Sequence, residues 1–218
     1  MLMDRLRYRR YGAQGGDWGS GITTAIGALD SEYCAGIHIT LAMRTGPDVK
    51  GEPTPEEARA LKGGKHYLDW DSGYSKQQST RPQTLGYGLT DSPSGQAARI
   101  LEKFRAWTDC DGDPLNILGR DELLDIVMLY WVTATATSSA RLYWESFGAA
   151  RRTLHKVTIP TGVAVFPKEI VPPVRRWMEP NYTDIRHWSE MPKGGHFAAF
   201  EQPELFVQEV RKYFAMLR

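Results

Sequence analysis

Cysteine is scarce: Cys34 and Cys110 are the only two in 218 residues. Two thiols cannot make a disulfide framework, so they are expected as half-buried thiols of a reducing compartment. An excess of one charge is also lacking. Lys and Arg number 27 against 26 Asp and Glu, a formal net charge of +1. That balance gives no electrostatic reason to expect nucleic acid or an anionic membrane as a partner. No apolar run approaches the roughly 18 residues that a spanning helix needs. The opening Met1-Leu2-Met3-Asp4-Arg5-Leu6-Arg7 has no apolar signal core, so the expected location is cytoplasmic. Aromatic residues, by contrast, are plentiful, with 7 Trp, 10 Tyr and 7 Phe. That much ring surface suits an apolar pocket with a few polar tips, and equally a well-filled core. At roughly 100–200 residues per domain, the length allows one large domain or one and a half.

Periodicity divides the chain into strand-rich ends and a helical middle. Arg10 to Gln14 reads as a short strand, Ser20 to Leu29 as a helix, and Cys34 to Leu41 as a buried strand. Thr45 to Pro55, rich in Gly and Pro, is a connector. Thr54 and Glu57 make a capping-box pattern with Pro55 at the first helical position. Helices follow over Ser94–Trp107 (capped by Ser92), Arg120–Trp131 (with Asp121 as cap) and Ala136–Phe147. Val157 to Phe166 and Ile185 to Glu190 return to strand, and Pro203 to Leu217 is an amphipathic closing helix. The expected organisation is α/β: core segments 1–44 and 151–218, with a helical cap over 45–150 inserted between strands.

The sharpest motif is Gly15-Gly16-Asp17-Trp18-Gly19-Ser20, placed between a strand and a helix. Small residues on both sides of one polar residue are what a nucleophile elbow requires, because the central residue sits in a crowded, strained turn. The usual elbow carries Ser, and this one carries Asp17. The plain alternative is a glycine-rich turn with Asp as a helix cap. An elbow needs an acid and then a histidine later in the chain, on loops after strands. Glu169 follows the Val157–Phe166 run, and His196 follows Ile185–Glu190 within Gly194-Gly195-His196-Phe197. Both fall where open α/β sheets place their sites. His38, His66, His155 and His187 lack such a setting and read as surface or core histidines. Asp184 is a weaker rival to Glu169, since it starts its strand. The triplet Asp109, Asp111 and Asp113 resembles a calcium loop but has Pro114 where Gly is needed, so it reads as a polar turn.

With Asp17, Glu169 and His196 in view, the chain resembles the epoxide hydrolases of the α/β-hydrolase superfamily, in their microsomal and juvenile-hormone branch. The resemblance is carried by Arg10 to Ser20, Thr84 to Phe104, Tyr130-Trp131, Ser138 to Glu145, Pro160 to Glu169 and Gly194 to Phe200. It implies roles by position. Asp17 matches the nucleophile, His196 the general base and Glu169 the acid that orients it. Tyr74 and Tyr143 match the two tyrosines that donate to the epoxide oxygen, and the helical insert matches the lid. The backbone N–H of Trp18 matches an oxyanion donor. The implied partners are a small apolar epoxide and water, and the chemistry needs no metal or organic cofactor. A homodimer is left open. Without the family pattern, Tyr74 and Tyr143 read as ordinary tyrosines, as do Tyr33, Tyr87 and Tyr130, which are expected to be buried.

The chain departs from that family near its start, where the first strands, one oxyanion loop and the N-terminal extension of this branch are expected but not found. The elbow lies at residue 17, and His-Gly, the start of the loop supplying the other oxyanion donor, occurs nowhere. This leads to the expectation of an α/β-hydrolase fold lacking its N-terminal strands, with the elbow strand as an open edge and activity impaired. Two competing functions remain at this point. One is an Asp-nucleophile haloalkane dehalogenase, which the two cap tyrosines argue against because a halide needs no proton. The other is an inactive remnant, against which stands the presence of every expected side chain.

Overall fold

The computed structural model describes residues 2–42, 49, 51–149 and 156–218. His155, the start of the connector at Thr45, and the expected boundaries at 44/45 and 150/151 lie outside these residues. In chain order the elements are α1 (Leu2–Arg5), β1 (Tyr11–Gly15), α2 (Trp18–Leu29), β2 (Cys34–Ile39) and α3 (Pro55–His66). A π-helical turn, Tyr67–Asp71, leads to α4 (Gly73–Thr80), α5 (Pro82–Asp91) and α6 (Pro93–Trp107). After a 3-10 turn at Pro114–Asn116 come α7 (Arg120–Val132) and α8 (Ala136–Ala149). The chain closes with β3 (Thr161–Val165), α9 (Arg175–Met178), β4 (Ile185–Glu190), α10 (Ala198–Glu201) and α11 (Pro203–Ala215). Two units result: Met1–Gly64 with His155–Arg218, and Lys65–Leu154.

The first unit is built on a parallel sheet of order β1-β2-β3-β4. Its central strands are covered on both faces, so β3 (Thr-Gly-Val-Ala-Val) is buried at every position. The edge strand β1 alternates between half-buried and exposed until Gly15. On β2 the side-chain alternation assigns the two faces. A Cβ on Gly27 of α2 would meet the Ile37 side chain at 3.0 Å, whereas a Cβ on Gly36 would meet Leu217 at 2.4 Å and Tyr213 Oη at 2.7 Å. So α2 covers the face of Ile37 and Ile39, and α11 covers that of Gly36 and His38. Glycine at 36 and 162 opens the slot that receives the Tyr213 ring, whose hydroxyl donates to Pro160 O at 2.6 Å. Burying Ile37, Ile39, Val163 and Val165 contributes roughly 1.5–3 kcal/mol each.

Local rules explain most boundaries. Thr54 N donates to Glu57 Oε2 at 2.8 Å and Glu57 N to Thr54 Oγ1 at 3.3 Å, closing the capping box of α3. Glu57 also accepts from Trp177 Nε1 at 2.8 Å, tying α3 to α9. Ser92 caps α6 by accepting from Gly95 N at 3.0 Å. In the helical unit, α5 and α8 approach closely at Gly86, where a Cβ would fall 1.8 Å from Thr137 Oγ1. Among the described residues, no single helix is long and apolar enough to cross a membrane.

Several expectations need correction. The strand expected from Val157 begins at Thr161, since Pro160 has no N–H to give and Val157 makes only an isolated bridge to Tyr182. Helix α7 is capped at Gly119, whose N–H donates to Glu122 Oε2 at 2.7 Å, and Asp121 is its second residue. Cys34 and Cys110 are buried, at 2% and 1% exposure, not half-buried. Tyr33, Tyr87 and Tyr130 are exposed, at 46%, 71% and 36%. Their rings sit on outer faces that composition could not foretell.

Candidate active site

The turn between β1 and α2 holds Asp17 at φ 47° and ψ −125°, a backbone conformation that costs a non-glycine residue of order 1–3 kcal/mol. Its surroundings enforce that geometry. A Cβ on Gly15 would lie 2.0 Å from Gly19 O, and one on Gly16 would lie 2.9 Å from Thr40 Oγ1. Ser20, fully buried, donates from Oγ to Gly15 O at 2.7 Å and accepts from Leu41 N at 3.3 Å. These bonds tie the turn to the end of β2. Helix α2 starts at Trp18, two residues earlier than the expected Ser20, so the Trp18 N–H points back toward the turn.

Glu169 and His196 come from the loops after β3 and β4. The loops are joined by a bridge in which Lys168 N donates to Gly194 O at 3.0 Å. Gly194 takes φ +107°, and a Cβ there would also press on the Phe166 ring at 3.0 Å. His196 Nδ1 lies 2.7 Å from Glu169 Oε1, and His196 Nε2 lies 3.6 Å from Asp17 Oδ2. Glu169 Oε1 also accepts from Ile170 N at 2.8 Å, which fixes the carboxylate. With Nδ1–H donating to Glu169, Nε2 is the nitrogen turned to Asp17. The structure thus brings the three residues into one line at the C-terminal ends of parallel strands. His196 and Glu169 side chains are buried, whereas that of Asp17 is 50% exposed.

The electrostatics follow from this arrangement. Burial disfavours the imidazolium of His196, but the Glu169 carboxylate and then Asp17 outweigh it, and its pKa is pushed up to about 10. Glu201, a buried carboxylate that sequence reasoning passed over, accepts from Gly195 N at 2.8 Å and from Phe197 N at 3.0 Å. Its one sequence signal is a charge directly after the apolar Phe197-Ala198-Ala199-Phe200 run.

The two tyrosines belong to the helical unit. Tyr74, on α4, and Tyr143, on α8, meet edge to face with hydroxyls 3.4 Å apart. Arg99 and Lys103 lie over the Tyr74 ring, at 4.7 and 4.6 Å from its centroid. Burial and the neighbouring phenols Tyr143 and Tyr67 hold Tyr74 protonated well above the usual tyrosine range.

Relatives supply the context for this geometry. The chain is 49% identical over 218 residues to a protein of Stigmatella aurantiaca named "Putative epoxide hydrolase", covering 100% of this chain and 49% of that one. It is 39% identical over 241 residues to epoxide hydrolase 1 of Sus scrofa, covering 99% of this chain and 53% of that one. The crystal structure of the juvenile hormone epoxide hydrolase from the silkworm Bombyx mori superposes with a TM-score of 0.89 at 33% identity. That match covers 100% of this chain and 57% of the silkworm chain. Over its whole length the chain is similar to epoxide hydrolases. Its fold is the α/β-hydrolase fold, in the part that this sequence spans. No family model matches the sequence. The chain spans about half the length of the curated epoxide hydrolases it matches.

Proposed function

We propose that this chain carries the chemistry of an epoxide hydrolase, opening a small apolar oxirane to a vicinal diol through an ester on Asp17. The observation that supports it most is the line Asp17–His196–Glu169, with separations of 3.6 and 2.7 Å. An epoxide has no carbonyl to attack. A carboxylate oxygen of Asp17 bonds to one ring carbon, and that carbon's bond to the ring oxygen breaks. The leaving alkoxide takes a proton from a phenol. Two hydroxyls 3.4 Å apart leave room for one oxygen to accept from both at about 2.7 Å. The tyrosinate is reprotonated by solvent. Tyrosine suits this task because it is neutral near pH 7 and does not repel Asp17.

In the second half, water attacks the ester carbonyl while His196 Nε2 takes its proton. Glu169 fixes the tautomer and stabilises the imidazolium. The oxyanion that forms is met by the Trp18 N–H. Collapse returns the Asp17 carboxylate, and the departing diol oxygen takes the proton from His196. Esterification also removes the charge of Asp17 beside His196. That lowers the affinity of His196 for its proton at the step where a base is needed.

A single turnover in ¹⁸O water tests this reading. Label is expected in the Asp17 carboxylate and not in the first diol, since the Asp17 oxygen that attacked the epoxide leaves with the diol and a water oxygen takes its place. Solvent oxygen appearing directly in the first diol would overturn the ester mechanism. Tyr74→Phe combined with Tyr143→Phe is expected to abolish ester formation while substrate still binds. Unimpaired ester formation in that variant would remove the tyrosines from the reaction.

A further inference from the structure

His196 sits in a loop opened by two glycines, whose backbone does little to fix its own path. Gly194 and Gly195 precede it, and two successive glycines lose more conformational freedom on ordering than any other pair. The ring must nevertheless keep Nδ1 at 2.7 Å from Glu169 and Nε2 within reach of Asp17. One further group bonds the backbone on both sides of it. The two carboxylate oxygens of Glu201 divide the work: Oε2 accepts from Gly195 N at 2.8 Å, and Oε1 accepts from Phe197 N at 3.0 Å. Residue 201 is only 7% exposed, so these bonds are little weakened by water, and bonds to an ionised acceptor are stronger than neutral ones. Gripping 195 and 197 together fixes the 196–197 peptide plane that follows the histidine and the 194–195 plane one residue before it, and so restricts the direction of its Cα–Cβ bond. The Lys168–Gly194 bridge sets the loop against the Glu169 segment but does not reach residue 197.

We propose that Glu201 is a positioning residue for the histidine, clamping the backbone at 195 and 197 so that the His196 ring spans Glu169 and Asp17. This rests on the reading of His196 as the base of the hydrolytic half-reaction. The effect of Glu201 passes through the backbone of the loop. A carboxylate that merely glued α10 in place would affect stability and leave the His196 environment unchanged.

The test compares Glu201→Gln, Glu201→Asp and Glu201→Ala in the full 218-residue chain. The first readout is the titration midpoint of the His196 imidazole by NMR, which needs no turnover. Glu201→Ala is expected to lower it toward 6.5, the ordinary histidine value, because the ring drifts from both carboxylates. Glu201→Gln keeps one acceptor oxygen and is expected to fall between Glu201→Ala and the parent. Glu201→Asp keeps both oxygens and is expected to restore part of the shift. The second readout is the rate of ester breakdown. Misplacement of about 1 Å costs ~10²-fold, so kcat should fall steeply in Glu201→Ala and KM should fall with it, while kcat/KM, which reports ester formation, holds. If Glu201→Ala does not fold, the Gln and Asp variants carry the comparison. A His196 midpoint equal to the parent's in the folded variants, with the Gly195 and Phe197 amide signals shifted, would overturn the clamp. A parent chain that makes no diol would overturn the catalytic reading instead and would leave the His196 measurement to decide the clamp.

Discussion

Replacing Asp17 by Asn should change the titration of His196 by an amount that the geometry sets. In the parent the imidazolium faces two carboxylates, Glu169 at 2.7 Å and Asp17 at 3.6 Å. At 3.6 Å an ion pair is worth about 5 kcal/mol at an effective dielectric of about 20, and about 1 kcal/mol if water screens it fully. Half of the Asp17 side chain is exposed, so its contribution lies between these limits. At about 1.4 kcal/mol per pH unit, Asp17→Asn should lower the His196 midpoint by about 1–3 pH units. Starting from about 10, that leaves it above the ordinary 6.5. Glu169→Gln removes the nearer and fully buried charge, about 6 kcal/mol at the same dielectric. Burial then opposes the imidazolium with only Asp17 to offset it, so the midpoint should drop further than in Asp17→Asn. The assay is the pH dependence of the His196 ring signals, with the remaining described histidines as internal controls. A larger drop in Asp17→Asn than in Glu169→Gln would refute the reasoning, because it would mean that the line is not held from the buried end. The same comparison bears on mechanism, since esterification of Asp17 removes the same charge that Asn removes.

Two further outcomes concern stability. Glu209 on α11 lies 2.6 Å from His187 Nε2 on β4 and 3.8 Å from His38 Nε2 on β2, and Ser189 Oγ sits 3.0 Å from the same His187 nitrogen. Burial raises the pKa of Glu209, but the neighbouring His38, His187 and Ser189 outweigh it and lower the value from 4.5 to about 2. A depressed carboxylate stabilises the fold above its unfolded pKa and loses that contribution as pH falls through the folded one. Glu209→Gln should therefore lower Tm at pH 7, and the gap should close between pH 4.5 and about 2 in thermal melts; a gap independent of pH would rule out the ionic origin. Gly15→Ala should cost about 1–3 kcal/mol by urea unfolding, because its Cβ falls 2.0 Å from Gly19 O. Gly19→Ala, with nothing within 4 Å of its Cβ, should leave the midpoint unchanged or raise it; equal losses at both positions would refute the crowding of the turn.

What the sequence disclosed was what depends on neighbours in the chain. The capping box at Thr54 and Glu57, the Ser92 cap and the strand Ile185–Glu190 are all local patterns, and each stands where the pattern put it. Asp17 was legible because crowding at a strand-to-helix turn leaves a glycine signature, and Glu169 and His196 because chain order after strands constrains them. Glu201 left almost no trace, since its partners are two backbone N–H groups and any residue could supply those. The Glu209–His187–His38 contact was illegible for a different reason. Residues 38, 187 and 209 meet only through the β2–β3–β4 register and the seating of α11 over Gly36 and Gly162. No periodicity in one strand encodes which face a helix from elsewhere will cover. The exposed Tyr33, Tyr87 and Tyr130 make the same point in reverse, because an aromatic ring does not announce whether a partner will arrive. The residues that react could be found from chain order and spacing. Those that hold them in place are set by tertiary packing, so a sequence reading of this site finds the machinery before it finds its supports.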